Sequence, residues 1–309
     1  MSALTRIARS VVAGRWSRAI DPVLRRAAMR STALLGVGRE RSSSPAQAAL
    51  TAMDAVGHPL LLGHRGAMAR APENTLGAFA AALADGAHGV ELDVTLSGDS
   101  VPIVLHDDTL DRTTNAAGKP SDFDADELAS LDAASWFPGG WPHREGVPRL
   151  AEVLERMPDG AVVNVELKGP SPAWVGLERR VLEVVEAHRR RLHVVVSSFH
   201  PAQLLEVRRL DATVPIGVLL WPRSLLPLRT GLAVPLLRAD AVHPPASLVD
   251  AAFMSAARAS GLRVHVWSVK DVVEAERLLA LGVDALIVDD VASHASHFPS
   301  SGRAGLSGS

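Results

Sequence analysis

The sequence predicts an irregular (β/α)8 barrel, on three observations. Short β-rich runs alternate with helical patterns through most of the chain, polar side chains recur at the C-terminal ends of those runs, and 309 residues suit one large barrel with tails. Composition divides the chain into a basic extension over 1–49, a patterned body over 59–291 and a tail of small and polar residues over 292–309 that reads as disordered.

The β-rich runs fall at 60–64, 89–94, 102–106, 161–168, 193–199, 215–220, 241–243, 263–269 and 285–289. Nine is one too many for an eight-stranded barrel, so the short run at Ala241 to His243, or a neighbour, is expected to be marginal. Only eight residues separate Asp93 from Pro102, too few for a helical crossover between parallel strands, so irregularity is expected there. Between runs, Leu76, Phe79, Ala80 and Leu83 have helical spacing that stops at Gly86. Asp271 with Glu274 forms a capping-box pattern ahead of a helix that Gly282 ends.

Composition narrows the chemistry. Hydrophobic residues make up 47% and charged residues 21%, with a net charge of -2, so no global charge recruits nucleic acid. There is no cysteine, which removes thiolate nucleophiles and sulfur-ligated metals and leaves oxygen or imidazole ligands. No uninterrupted apolar run reaches the roughly 18 residues of a spanning helix. The longest apolar region, Leu219 to Leu237, is broken by Arg223, Arg229 and three prolines. In the basic extension nine arginines lie between Arg6 and Arg41 against Asp21 and Glu40, a density that fits no signal peptide, so a cytoplasmic location is expected. The extension reads as a solvated disordered tail, an amphipathic surface helix or a nucleic-acid arm; Ile7, Val11, Val12, Trp16, Ile20, Val23 and Leu24 give it a partly amphipathic pattern, which favours a peripheral contact with anionic membrane over nucleic acid.

Candidate functional residues sit at strand ends: His64 and Arg65 after Leu60 to Gly63, Glu91 and Asp93 in Gly89 to Val94, His106 after Pro102 to Leu105, Glu166 and Lys168 in Ala161 to Lys168. Strand alternation turns Glu91 and Asp93 to one face, and likewise Glu166 and Lys168. Three inward carboxylates repel one another, and a divalent cation resolves that conflict; oxygen ligands suit Mg2+ or Ca2+. Glu91 and Asp93 in salt bridges to Arg65 are the alternative, which the third carboxylate disfavours. Arg65 and Lys168 supply donors for a phosphate anion, and two histidines can divide proton transfer at neutral pH. His200 and His243 also fall near strand ends but read equally well as helix-start or loop residues, while His88, His143, His188 and His193 read as structural. Glu73 and Asn74 are expected to brace the loop after His64.

The segments GHRGAMARAPENTLGAF (Gly63 to Phe79), GVELDVTLSGDSVPIVLHDDTLDRTTN (Gly89 to Asn115) and VNVELKG (Val163 to Gly169) resemble the signatures of the glycerophosphodiester phosphodiesterase family, with weaker matches continuing to Asp290. The resemblance implies a metal-dependent (β/α)8 hydrolase with His64 and His106 as the catalytic pair and Glu91, Asp93 and Glu166 as ligands of one divalent cation. It also implies Arg65 and Lys168 on phosphate and Trp267 lining the substrate pocket, although Trp267 read alone could be barrel core. Departures are Lys270 where the family often has Asn, Ala116 for Gly, and Val291 near a usual Pro. The implied activity releases glycerol 3-phosphate and an alcohol. A lysophospholipase D acting on lysophospholipids, suggested by Leu219 to Leu237 and the basic arm, and a catalytically silent phosphate- or lipid-binding barrel are the alternatives.

Overall fold

The computed structural model describes residues 44–169, 176–221 and 234–298. Most of the basic extension, the end of the tail and the greater part of the Leu219 to Leu237 connection lie outside the described residues.

Among the described residues there are nine strands: β1 (Leu60–His64), β2 (Gly89–Leu96), β3 (Pro102–Val104), β4 (Val162–Leu167), β5 (His193–Ser198), β6 (Ile216–Leu219), β7 (Ala241–His243), β8 (Arg263–Val269) and β9 (Ala285–Val288). Eight run parallel and close on themselves, because β1 pairs with both β2 and β9. The expectation that Ala241–His243 would be marginal is corrected: β7 is buried and paired with β6 on one side and β8 on the other. The surplus strand is β3, which runs antiparallel to β2, with Val94 opposite Val104 and Leu96 opposite Pro102. An antiparallel return needs only a turn, so the short connection poses no topological problem. The Ser97 hydroxyl accepts from the Val101 N–H there, and Ser100 adopts φ 63°. β1 pairs only with Gly89 to Glu91 of β2, and β3 pairs beyond it, from Val94 to Leu96. One side of the barrel is thereby raised near the mouth.

Among the described residues the core has three parts, of which one, with Ile103, Leu110, Leu128 and Val147, lies around β3 and the segment after it, and the other two build the barrel. Outward-facing strand residues such as Val90, Leu92, Val165, Val196 and Leu286 pack under helices carrying Phe79, Leu154, Val181, Leu204 and Leu278. Inside the barrel, Leu60, Leu62, Val162, Val195, Ala285 and Ile287 form an apolar layer against Leu50 and Met53 of helix Pro45–Met53. That helix, capped by the Ser44 hydroxyl, closes the N-terminal end of the barrel and leaves the C-terminal end open. Other helix ends follow their local chemistry. Thr75 caps Leu76–Ala84. Asp271 accepts from the Glu274 N–H to start Val272–Leu281, which Gly282 ends at φ 77°; the Glu274 carboxylate reaches the Lys270 N–H, so the expected reciprocal box is offset by one residue. In the region read as tail, Val291–Ala295 is helical and Phe298 is buried.

Candidate active site

Strand ends and the loops after them bring the expected residues to one mouth. β1 delivers His64 and then turns sharply, with Arg65 at φ 51° and Gly66 at φ 87°, so the Arg65 guanidinium folds back over the neighbouring strand. A Cβ at Gly66 would also lie 2.6 Å from the Ala78 backbone, so side chains are excluded there on two grounds. Alternation along β2 turns Glu91 and Asp93 inward, and β4 adds Glu166, the register partner of Ser197 and neighbour of Asp93 across the β2–β4 ladder.

Each of these three carboxylates offers an oxygen within 4.8 Å of the other two, and all are buried. Burial pushes Glu91 well above the usual carboxylate range, reinforced by the charges of Asp93 and Glu166. Glu166 is pushed up to about 7, chiefly by burial, against the favourable field of Lys168. Asp93 goes the other way: burial opposes its charge, but Lys168, Arg65 and His106 together outweigh that and hold it low. Lys168 Nζ lies 3.0 Å from Asp93 and 2.5 Å from Glu166, while Arg65 Nε is 3.3 Å from Asp93. Those contacts hold Lys168 and Arg65 protonated despite burial. The alternative of a salt bridge from Arg65 thus exists for Asp93, yet it does not neutralise the trio. Were all three ionised, three carboxylates would face two cations and leave one net negative charge, which burial and repulsion at Glu91 and Glu166 oppose. A divalent ion held there would make the balance one positive, the complement of a phosphodiester monoanion.

Both histidines are held at Nδ1 by a carboxylate. His64 Nδ1 is 2.6 Å from Asp289 Oδ1, and its Nε2 is 3.9 Å from Glu91. His106 Nδ1 is 2.6 Å from Asp107 Oδ1. In each case the carboxylate engages Nδ1, which sets the tautomer, and leaves Nε2 outside the pair. Burial lowers the His106 pKa, with Asp93 and Asp107 opposing the shift. A chain of ion pairs then links the two sides of the mouth: Asp107 accepts from Arg112 at 2.6 Å, Arg112 donates to both Glu73 oxygens at 2.7 and 2.8 Å, and Glu73 accepts from Arg65 at 2.7 Å. Asn74, at φ 58°, donates to Asp93 at 2.9 Å. Glu73 and Asn74 therefore brace the site as well as the loop.

Asp107, Arg112 and Asp289 were missed by sequence reasoning. Their signal was available: Asp107 follows His106 directly, and Asp289 ends the last strand at the level of His64. His243 is not in the cluster; its ring lies inside the barrel, 4.7 Å from the His265 ring, and burial pushes its pKa well below the usual value. Trp267 packs on the interior layer and also stacks on Trp221, 5.6 Å between ring centroids and 11° from parallel, with Phe199 edge-on at 5.6 Å. Its indole N–H donates to the His243 carbonyl at 2.7 Å. Beside this aromatic group a cavity of about 930 Å³ opens, with His106, Glu166, Lys168 and Phe199 among its walls.

An enzyme that handles phosphate esters at the C-terminal mouth of a (β/α)8 barrel is the class this fold and these charges define. Comparison with known proteins narrows it. Residues 64–293 match the glycerophosphoryl diester phosphodiesterase family, and the chain belongs to that family. It is 33% identical over 232 residues to a glycerophosphodiester phosphodiesterase of Caldanaerobacter subterraneus, covering 75% of this chain and 94% of that one. An Oleispira antarctica phosphodiesterase, solved in complex with the product sn-glycerol-3-phosphate, superposes with a TM-score of 0.68 at 31% identity, over 77% of this chain and 96% of that chain. A glycerophosphodiester phosphodiesterase from Agrobacterium tumefaciens superposes at 0.66 and 28% identity, over 77% and 99%. The chain is a phosphoric diester hydrolase.

Proposed function

We propose that this chain hydrolyses glycerophosphodiesters to glycerol 3-phosphate and an alcohol, with Glu91, Asp93 and Glu166 holding one divalent cation, Mg2+ or Ca2+. The observation that carries the reading is the buried carboxylate trio beside two carboxylate-steered histidines. Burial and mutual repulsion disfavour ionising all three acids together, which fits a site completed by a hard cation. When bound, such an ion polarises a phosphoryl oxygen and offsets the charge that develops there.

Arg65 and Lys168 bind the remaining phosphoryl oxygens, held in place by Glu73 and Asp93. His64 and His106, each oriented through Nδ1, act through Nε2, one withdrawing the proton from the attacking nucleophile and the other delivering one to the departing alkoxide; attack by water gives glycerol 3-phosphate directly, whereas attack by the neighbouring glycerol hydroxyl gives a cyclic phosphate that water then opens to glycerol 3-phosphate. Trp267, with Phe199, presents an apolar wall to the carbon skeleton. For an enzyme of soluble or peripheral esters no spanning helix is required, and among the described residues none is long and apolar enough to be one.

The test is product analysis on glycerophosphodiesters and lysophospholipids with Mg2+, Ca2+ or chelator. Release of glycerol 3-phosphate that stops on chelation and returns with the ion supports the proposal. Ligand binding without alcohol release would instead identify a silent binding barrel.

A further inference from the structure

Lys168 lies just past the strand that carries Glu166, and strand pairing alone does not hold it. Pairing of β4 with β5 ends at Glu166 opposite Ser197, and pairing with β2 ends at Leu167 opposite Val94. Gly169, at φ 113°, turns the chain away directly after the lysine. A residue at such a strand end ordinarily has the mobility of a loop. Here both of its backbone groups are tied down. The Lys168 N–H donates to the Val94 carbonyl at 2.9 Å, and the Lys168 carbonyl accepts from the Gln203 side-chain amide at 3.2 Å.

Gln203 is itself fixed at both ends. It is the third residue of helix Pro201–Leu210, which begins only two residues, Phe199 and His200, after β5. It is buried, so water does not compete for its amide. Its Oε1 accepts from the Ser198 hydroxyl at 2.7 Å, and that hydroxyl oxygen accepts from the His200 N–H at 3.0 Å. The Leu167 carbonyl lies 3.2 Å from the same hydroxyl. Ser198 and Gln203 thereby continue, with side chains, the join between β4 and β5 that the backbone register leaves at Glu166. Only an amide serves both contacts at once, because a carboxylate has no proton to give a carbonyl.

The lysine held in this way works at close quarters. Its ammonium lies 2.5 Å from Glu166 and 3.0 Å from Asp93, so a small shift of its backbone redirects it among the charges of the site. We propose that Gln203, oriented by Ser198, is a positioning residue for the reaction, fixing the backbone from which Lys168 reaches the phosphoryl group and acting through that lysine. The inference rests on the phosphate-binding reading of Lys168 and adds a residue from outside the strand-borne set.

The experiment uses the full-length chain at saturating Mg2+ and reads the Kd of glycerol 3-phosphate by calorimetry together with KM and kcat for glycerophosphocholine. Gln203→Met keeps length and apolar packing but removes both bonds. It should weaken glycerol 3-phosphate and raise KM by about 3- to 10-fold, the range of one lost hydrogen bond, with kcat held within about twofold. Ser198→Ala should move the same quantities in the same direction. Lys168→Met should weaken glycerol 3-phosphate more than either, and adding Gln203→Met to it should cost less than about twofold, since the amide then has no ammonium to place. A merely structural role gives a different pattern: a lower thermal unfolding temperature with unchanged Kd and KM, or a Gln203→Met effect of equal size with and without Lys168. Either result would overturn the inference and leave the hydrolase reading intact. Should Gln203→Met fail to fold, Ser198→Ala, alone and combined with Lys168→Met, decides by the same criteria. An unchanged Kd in Lys168→Met would remove the lysine from phosphate binding, and the inference with it.

Discussion

Asp107→Asn isolates the electrostatic part of histidine activation. Asp107 Oδ1 lies 2.6 Å from His106 Nδ1, and the two side chains are 27% and 32% exposed. Two unit charges about 4 Å apart interact by about 4 kcal/mol at an effective dielectric of about 20. Partial exposure and the opposing charge of Arg112, 2.6 Å from the same carboxylate, reduce this to about 1–2 kcal/mol. The amide oxygen of Asn can still accept from Nδ1, so ring orientation is kept and the loss falls on imidazolium stability. We expect kcat to drop about 5- to 30-fold. The sign in pH follows from the structure. Burial already lowers the His106 pKa and Asp107 opposes that, so removing the charge lowers it further. The limb of the kcat profile governed by His106 should move to lower pH by about one unit, equivalent to about 1.4 kcal/mol. This holds whether His106 acts as acid or base, since the group itself titrates lower. The assay is glycerol 3-phosphate release across pH, repeated in a His106→Ala background where Asp107→Asn should add little. A folded Asp107→Asn protein with an unmoved profile, or full additivity with His106→Ala, would refute the coupling.

Three further outcomes are expected. His64→Ala and His106→Ala should each reduce turnover about 100-fold or more with unchanged thermal unfolding; near-normal turnover removes the residue from the mechanism. In chelator, stability should fall as pH rises from about 4.5 to about 7, because Glu166 holds its proton up to about 7 when folded against 4.5 ordinarily, so the folded state binds more protons in that window. Saturating Mg2+ or Ca2+ should flatten the slope, and a rise with pH in chelator measured by urea unfolding would contradict the assignment. Deleting residues 1–43 should leave turnover of a soluble ester nearly unchanged and weaken salt-sensitive binding to anionic vesicles, whereas deleting 1–53 should cost several kcal/mol, at about 1.5–3 for each of the buried Leu50 and Met53. Equal stability of the two truncations in denaturant titration would show the helix to be dispensable.

The barrel was legible because its strands are short and dense in Val, Ile and Leu, and because period-2 alternation in Glu91-Leu92-Asp93 shows both which face is inward and that the inward face is charged. The surplus strand was misplaced for a physical reason. Length made 241–243 look weakest, yet a three-residue strand suffices when both edges are paired. β3 looked the stronger run, yet it pairs with β2 alone and runs against it. Pairing partners are long-range properties that no local window contains. The same limit applies to helix Pro45–Met53, which sequence composition grouped with the arginine-rich extension: its capping serine and the proline at its first turn were readable, but that Leu50 and Met53 would stopper the barrel depends on strands as distant in sequence as β9, which carries Ile287.

The site divides along the same line. The strand-borne groups expected at the mouth do lie together there, since strand position and chemistry both announce them. The supporting groups were missed because they sit on loops and reach the site only through folding, as Asp289 reaches His64 across 225 residues of chain. Their arrangement is nevertheless not incidental. Glu73 takes two bonds from Arg112 and one from Arg65, so one buried carboxylate links Arg65 to the pair that holds His106. If Arg65 binds phosphate as proposed, this chain predicts that a shift of Arg65 is felt at His106 through Glu73, Arg112 and Asp107. Replacing Glu73 by Gln would remove the charge that holds Arg65 and Arg112 together, and its cost should appear in both substrate affinity and turnover, where loss of Asp107 alone should fall on turnover.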